Sequence, residues 1–254
     1  MTTTYNTTKA AHGYDKARAI PAGSIRQWMD FLLVSINRDA VDSVIDLGCG
    51  TGRFSRSLAE SYQCPVLAID PSEPMLEQGR QSASAGLDIT WLAGSTEAIP
   101  ASDYSTDLVW MSQVFHHIDN TDTAFAEINR VLTPTGYLAI RNGVIDHLDD
   151  MPWFQCFPEA EAIERSRLMT QEQIVSLVCS FGFRPCSRVR HYQYSSSNYR
   201  EHADKISARG LSSLIAISDE AFERGVERLR AWVAERPETE PVYEPADLLL
   251  FQKL

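Results

Sequence analysis

The chain has 254 residues, 44% of them hydrophobic, so it can bury a full core as one α/β domain with insertions. Its 23 Lys and Arg against 34 Asp and Glu leave a net charge of −11, which works against binding nucleic acid or an anionic membrane. No apolar run approaches the roughly 18 residues of a membrane span, and the polar start lacks the apolar core of a signal peptide. We therefore expect a cytoplasmic protein with a small-molecule partner.

Cysteine and histidine usage argues against a metal site or a disulfide framework. The five cysteines are scattered and include no C-x-x-C pair. His116 and His117 are adjacent, and adjacent side chains on a regular element point in different directions. We expect free thiols and no bound metal.

Periodicity predicts a sheet flanked by helices. A Ser24-x-x-Gln27 capping box predicts the first helix, and a Thr170-x-x-Gln173 box predicts a later one that ends at Gly182. Short apolar runs alternate with helical stretches, which is typical of a doubly wound α/β domain with a parallel sheet. These runs are 43–47, 66–69, 89–92, 108–111 and 137–140, with further strands near 187–194 and 247–251.

Two irregular stretches interrupt this pattern and are predicted to be helical insertions that form a lid. The whole of 1–254 is expected to be a single domain. Its expected parts are a ligand-covering segment at 1–23, a cofactor-binding core at 24–142, insertions at 143–168 and 195–245, and the C-terminal part of the sheet at 169–194 and 246–254.

The strongest motif is a hydrophobic strand that runs into three alternate glycines, Gly48, Gly50 and Gly52. Side chains at these positions would block a ligand from the backbone, and the helix that follows presents free N–H groups. Asp46 precedes the glycines, and a carboxylate there suits an ammonium group but repels a pyrophosphate. Asp70 ends the next strand, about 20 residues beyond the glycine turn, where a carboxylate typically binds a ribose diol. A site for an amino acid and a nucleoside together predicts S-adenosylmethionine as the cofactor.

The segment from Val44 to Gly143 resembles the class I S-adenosylmethionine-dependent methyltransferases, in the group that includes the ubiquinone and menaquinone C-methyltransferases and many small-molecule methyltransferases. The resemblance rests on the stretches 46–52 and 69–76, with support from 94–100, 104–118 and 130–136. It implies a Rossmann-like sheet of seven strands with the last strand antiparallel, and methyl transfer to an O, N or C nucleophile with release of S-adenosylhomocysteine.

The resemblance also implies further site residues. It assigns Ser112 to the loop facing the methionine end and the acceptor, and Ser95 and Thr96 to the edge of the adenine. Pro71 and Met75 belong to the ribose motif and the helix after it, and Tyr14 and Arg18 to a segment that closes over the methionine end. The expected cofactor-binding residues are Arg18, Asp46, Gly48, Gly50, Gly52, Asp70, Pro71, Met75, Ser95, Thr96 and Ser112.

His116 is the first candidate for a general base, because histidine titrates near neutral pH and this loop faces the expected acceptor. Tyr14 is a second catalytic candidate, with anchoring of the N-terminal segment as its alternative. Trp153, Phe154 and Phe157 either line an acceptor pocket or anchor the insertion to the sheet. Two other functions stay open, a non-catalytic S-adenosylmethionine-binding subunit and a nicotinamide-dependent oxidoreductase.

Overall fold

The computed structural model describes residues 20–82 and 86–254. Tyr14 and Arg18 lie outside the described residues. One seven-stranded sheet runs through the described chain in the order β3-β2-β1-β4-β5-β7-β6. Only β7 is antiparallel to its neighbours β5 and β6, which confirms the predicted topology. The strands are β1 Val44–Leu47, β2 Val66–Asp70, β3 Ile89–Ala93, β4 Thr106–Ser112, β5 Leu132–Asn142, β6 Phe183–Ser196 and β7 Val242–Lys253.

Helices cover both faces of the sheet, as a doubly wound fold requires. Apolar residues of α1 and α2, among them Trp28 and Leu58, pack on one face, and those of α4 and α6, among them Phe125 and Ile174, pack on the other. The helices are α1 Ala22–Ser35, α2 Arg53–Tyr62, α3 Glu73–Gln81, α4 Thr121–Val131, α5 Pro158–Arg167, α6 Gln171–Ser180, α7 Tyr199–Ser207, α8 Ser212–Ala216 and α9 Asp219–Ala234. Short 3-10 turns lie at Arg38–Ala40, Phe115–His117, Ile145–Asp150 and Pro152–Cys156.

The predicted start of the first helix is wrong, whereas the Thr170 capping box is confirmed. Helix α1 begins at Ala22, so Ser24 already lies inside it and does not cap it. The Ser24 hydroxyl instead donates a hydrogen bond of 2.9 Å to the carbonyl of Tyr194 in β6. The Ser24 hydroxyl thus bonds to a distant strand, whereas the local sequence pattern predicts that it caps the helix.

Residues 145–167 and 199–234 form one helical unit, which we call the cap. Its two parts share an apolar cluster that contains Trp153, Phe154 and Phe157, each with at most 4% of its surface exposed. A Cβ on Gly225 of α9 would overlap the ring of Phe157, so the two insertions are in close contact there. Among the described residues, no helix is long and apolar enough to cross a membrane.

Candidate active site

The three glycines after β1 make a turn that other residues would not adopt. Gly48, Gly50 and Gly52 have φ values of +76°, +56° and +73°, in the left-handed region that favours glycine. A Cβ at Gly48 would overlap the side chain of Val114, and a Cβ at Gly52 would overlap the ring of Trp91. Close packing inside the protein therefore requires the small residue at both positions, in addition to the expected access for a ligand.

Asp46 is the buried acid of the site. Only 1% of its surface is exposed, and the hydroxyl of Ser55 donates a hydrogen bond of 2.6 Å to its Oδ2. Burial, with a smaller contribution from the charge of Asp70, raises the pKa of Asp46 to about 7. A cation placed beside this carboxyl would compensate for the lost hydration and hold it ionised.

Backbone hydrogen bonds fix Asp70 beside the glycine turn. Its Oδ2 accepts a hydrogen bond of 2.9 Å from the N–H of Gly50, and its Oδ1 accepts one of 2.9 Å from the N–H of Ser72. Burial raises the pKa of Asp70, and these two hydrogen bonds oppose that shift. The carboxylate is therefore held at the position expected of a ribose-binding acid.

A cavity of about 140 Å³ lies at the carboxyl ends of β1 and β4, where open α/β sheets bind ligands. Three of the predicted cofactor-binding residues, Asp46, Gly48 and Ser112, line it. Ile20, the first described residue and part of the predicted ligand-covering segment at 1–23, also lines it.

Arg141 lies at the end of β5 and brings a cation into the same cavity with 1% of its surface exposed. Its Nη1 donates a hydrogen bond of 3.0 Å to the hydroxyl of Ser112, and its Nη2 donates one of 2.6 Å to Oε1 of Gln193. The guanidinium carbon is 4.8 Å from the ring centroid of Trp28 and 5.3 Å from that of Phe54. These contacts hold Arg141 rigidly, with cation–π interactions offsetting part of its desolvation.

Three further ionisable side chains that the sequence did not predict also line this cavity: His202 and Lys205 on α7, and Glu244 on β7. Nε2 of His202 is 3.8 Å from Oε1 of Glu244, and the hydroxyl of Ser195 donates a hydrogen bond of 3.1 Å to Oε2 of Glu244. Their only sequence signal is the helical spacing that places His202 on the buried face with Ile206. That spacing does not distinguish a site from a core position.

His116 lies beside the cavity that contains Asp46, and its role as a general base stays a prediction. Its Nδ1 is 3.1 Å from Oδ1 of Asn142, and it lines a second cavity, of about 70 Å³, instead of the cavity that contains Asp46. Trp153 and Phe154 line this second cavity, whereas Phe157 is fully buried in the cap. The two cavities share three lining residues, Gln113, Leu211 and Pro245.

The residues expected around the adenine are not among those that line the 140 Å³ cavity. The hydroxyl of Ser95 accepts a hydrogen bond of 3.2 Å from the N–H of Glu97, so it stabilises its own turn. Thr96 and Met75 are buried, and Pro71 is exposed in the turn between β2 and α3. Their contact with the adenine stays a prediction.

Comparison with known proteins agrees with this geometry. Residues 45–140 match the family described as a methyltransferase domain. The chain is 32% identical over 138 residues to the ubiquinone/menaquinone biosynthesis C-methyltransferase UbiE of Dinoroseobacter shibae, a match covering 52% of this chain and 55% of the relative. It is 34% identical over 133 residues to a malonyl-[acyl-carrier protein] O-methyltransferase of Methylococcus capsulatus, covering 51% and 47%. The chain thus spans about half the length of the curated relatives it matches.

Solved structures share the fold over nearly the whole chain. A candidate methyltransferase from an antibiotic biosynthesis pathway of Anabaena variabilis ATCC 29413 superposes with a TM-score of 0.68 at 20% identity, covering 90% of this chain and 97% of that one. The [4+2]-cyclase SpnF superposes with a TM-score of 0.62 at 18% identity, covering 89% and 80%. Residues 45–140 therefore match the methyltransferase domain family, and the chain has the Rossmann-like fold of class I methyltransferases.

Proposed function

We propose that this protein transfers a methyl group from S-adenosylmethionine to a small-molecule nucleophile and releases S-adenosylhomocysteine. The observation that carries the proposal is the pair of fixed carboxyl groups at the glycine turn, Asp46 in the cavity wall and Asp70 bound to the N–H of Gly50. A buried carboxyl suits the cofactor's ammonium group, and a carboxylate at the end of β2 suits its ribose diol. A dinucleotide pyrophosphate would instead place negative charge beside Asp46.

The residues present fit the cofactor, whose sulfonium supplies an electrophilic methyl group. Asp46 would bind the ammonium group, and Gly48 and Ser112 would line the methionine end. Ile20 and residues of the cap line the cavity, and water that they displace from a bound ligand would strengthen electrostatic interactions there. These residues would hold the cofactor's methyl group and the acceptor nucleophile in line. Such positioning accounts for much of the rate acceleration of a displacement reaction.

A net charge of −11 favours a small molecule over a nucleic acid as the acceptor. The test is to incubate the protein with methyl-labelled S-adenosylmethionine and a panel of small hydroxyl, amine, carboxylate and carbon-acid acceptors, with an Asp46→Asn variant as control. We expect label in a small-molecule product together with S-adenosylhomocysteine, and neither with the variant. Cofactor binding without label transfer to any acceptor would favour a non-catalytic binding subunit.

A further inference from the structure

Two opposite charges from the cap and from the strand that follows it line the 140 Å³ cavity. Lys205 of α7 and Glu244 of β7 both line it and are both bound to Ser195. The ammonium of Lys205 donates to the carbonyl of Ser195, whereas Glu244 accepts from its hydroxyl. Nζ of Lys205 forms an ion pair with Oε1 of Glu201, at 3.7 Å. Lys205 and Glu244 do not pair with each other, and both contact Ser195.

Neither charge is neutralised by His202, which lines the same cavity. His202 is 2% exposed, and its Nδ1 has no hydrogen-bond partner among the described residues. Burial lowers the pKa of His202, although the charge of Glu244 opposes that shift, so the ring favours its neutral form beside Glu244. A separated cation and anion in a sheltered cavity complement a ligand that carries both charges.

The cofactor has a dipolar amino acid end of its own, but under the proposed function the glycine turn and Asp46 bind it. Asp46 and Ser112 belong to β1 and β4, whereas Lys205 and Glu244 come from the cap and from the strand that follows it. Beyond Gln113 and Leu211 the second cavity continues toward an apolar wall that includes Trp153. The site therefore offers a dipolar subsite with room for an apolar substituent next to it.

We propose that the methyl acceptor is an α-amino acid with an apolar side chain, whose carboxylate is bound by Lys205 and whose ammonium group is bound by Glu244, with the side chain directed toward the second cavity. This rests on the proposed function. In the reaction a proton of the ammonium group passes to the Glu244 carboxylate, and the freed lone pair forms the N–C bond. The C–S bond breaks with its electron pair left on sulfur, and the product is the N-methyl ammonium form and S-adenosylhomocysteine.

The experiment is calorimetric titration of the S-adenosylhomocysteine complex with leucine, methionine and phenylalanine. Leucinamide and 3-methylbutylamine lack the carboxylate charge of leucine, and 4-methylpentanoate lacks its amine. We expect at least one of the three amino acids to bind. Using leucine as the reference, each analogue should bind about tenfold more weakly or worse, because each loses a charge-assisted hydrogen bond.

The variants Lys205→Met and Glu244→Gln identify the binding group for each end. Lys205→Met should abolish the preference for leucine over leucinamide, and Glu244→Gln the preference over 4-methylpentanoate. Arg200→Met is the matched control, because Arg200 lies on the same helix with 79% of its side chain exposed. It should change neither preference.

Three results would overturn the proposal: no binding of any of the three amino acids, equal binding of leucine and its amide, or weaker S-adenosylhomocysteine binding in Lys205→Met. The last would assign Lys205 to the cofactor. Failure of the unmodified protein to bind S-adenosylhomocysteine would instead refute the proposed function, so the two failures are distinguishable.

Discussion

Replacing Asp46 with Asn tests the cost of burying this acid. The pKa of Asp46 is raised from 3.8 to about 7, so the native state binds the proton more tightly than the unfolded state does. The contribution of Asp46 to stability is therefore most favourable below pH 3.8 and falls as the pH rises toward 7, by at most about 4 kcal/mol, at roughly 1.4 kcal/mol per pH unit. An amide at this position avoids the loss and can still accept the hydrogen bond from Ser55.

We expect Asp46→Asn to be more stable than the unmodified protein at pH 8, with an advantage roughly 2 to 3 kcal/mol larger than at pH 5. Urea unfolding at the two pH values measures this difference, and S-adenosylhomocysteine binding should be lost at both. Asp88→Asn, at an exposed position, is the control and should show no such pH dependence. If Asp46→Asn is less stable than the unmodified protein at pH 8, or if the stability difference between the two does not change with pH, then burial of Asp46 does not cost stability and this reasoning is refuted.

Three further predictions follow from the same contacts. The affinity for S-adenosylhomocysteine should fall up to tenfold per pH unit below about 7, because the ligand's ammonium must displace the Asp46 proton; calorimetry that finds a flat profile would contradict this. Gly52→Ala should lower the free energy of unfolding in urea by more than about 2 kcal/mol, because the new Cβ has a left-handed φ and overlaps the ring of Trp91. Gly86→Ala is the control: it has a positive φ but open space around it, so it should cost about 1 kcal/mol. Phe157→Ala should cost about 3 to 5 kcal/mol in the same assay by opening a cavity in the cap, and a loss below about 1 kcal/mol would show that the cap collapses around the gap.

The sheet could be predicted from the sequence because each strand is a short buried run bounded by turn residues. Val44–Leu47 is buried at every position, and Gly48 follows at once, so periodicity and turn chemistry indicate the same boundary. The spacing from the glycine turn to Asp70 is also predictive, because it places both at the carboxyl ends of the adjacent parallel strands β1 and β2, where Gly50 and Asp70 form a hydrogen bond.

The positions of His202, Lys205 and Glu244 in the cavity could not be predicted, because these residues look like ordinary helix and strand positions. Lys205 and Glu201 read as a solvent-exposed i,i+4 pair, and only the packing of α7 over the sheet turns Lys205 inward. The side-chain contact of His116 could not be predicted either, because its ring meets Asn142 on β5 and lines the second cavity; its role as a general base stays a prediction. Contacts between elements distant in sequence decide both cases.

Calorimetric titration with S-adenosylhomocysteine tests the central claim most directly, with NADH as the competing ligand and an Asp70→Ala variant alongside. The account predicts binding of S-adenosylhomocysteine and none of NADH, with the affinity lost in the variant, because Asp70 and the N–H of Gly50 are held 2.9 Å apart at the expected ribose position. Binding of NADH, or no binding of S-adenosylhomocysteine by well-folded protein, would contradict it.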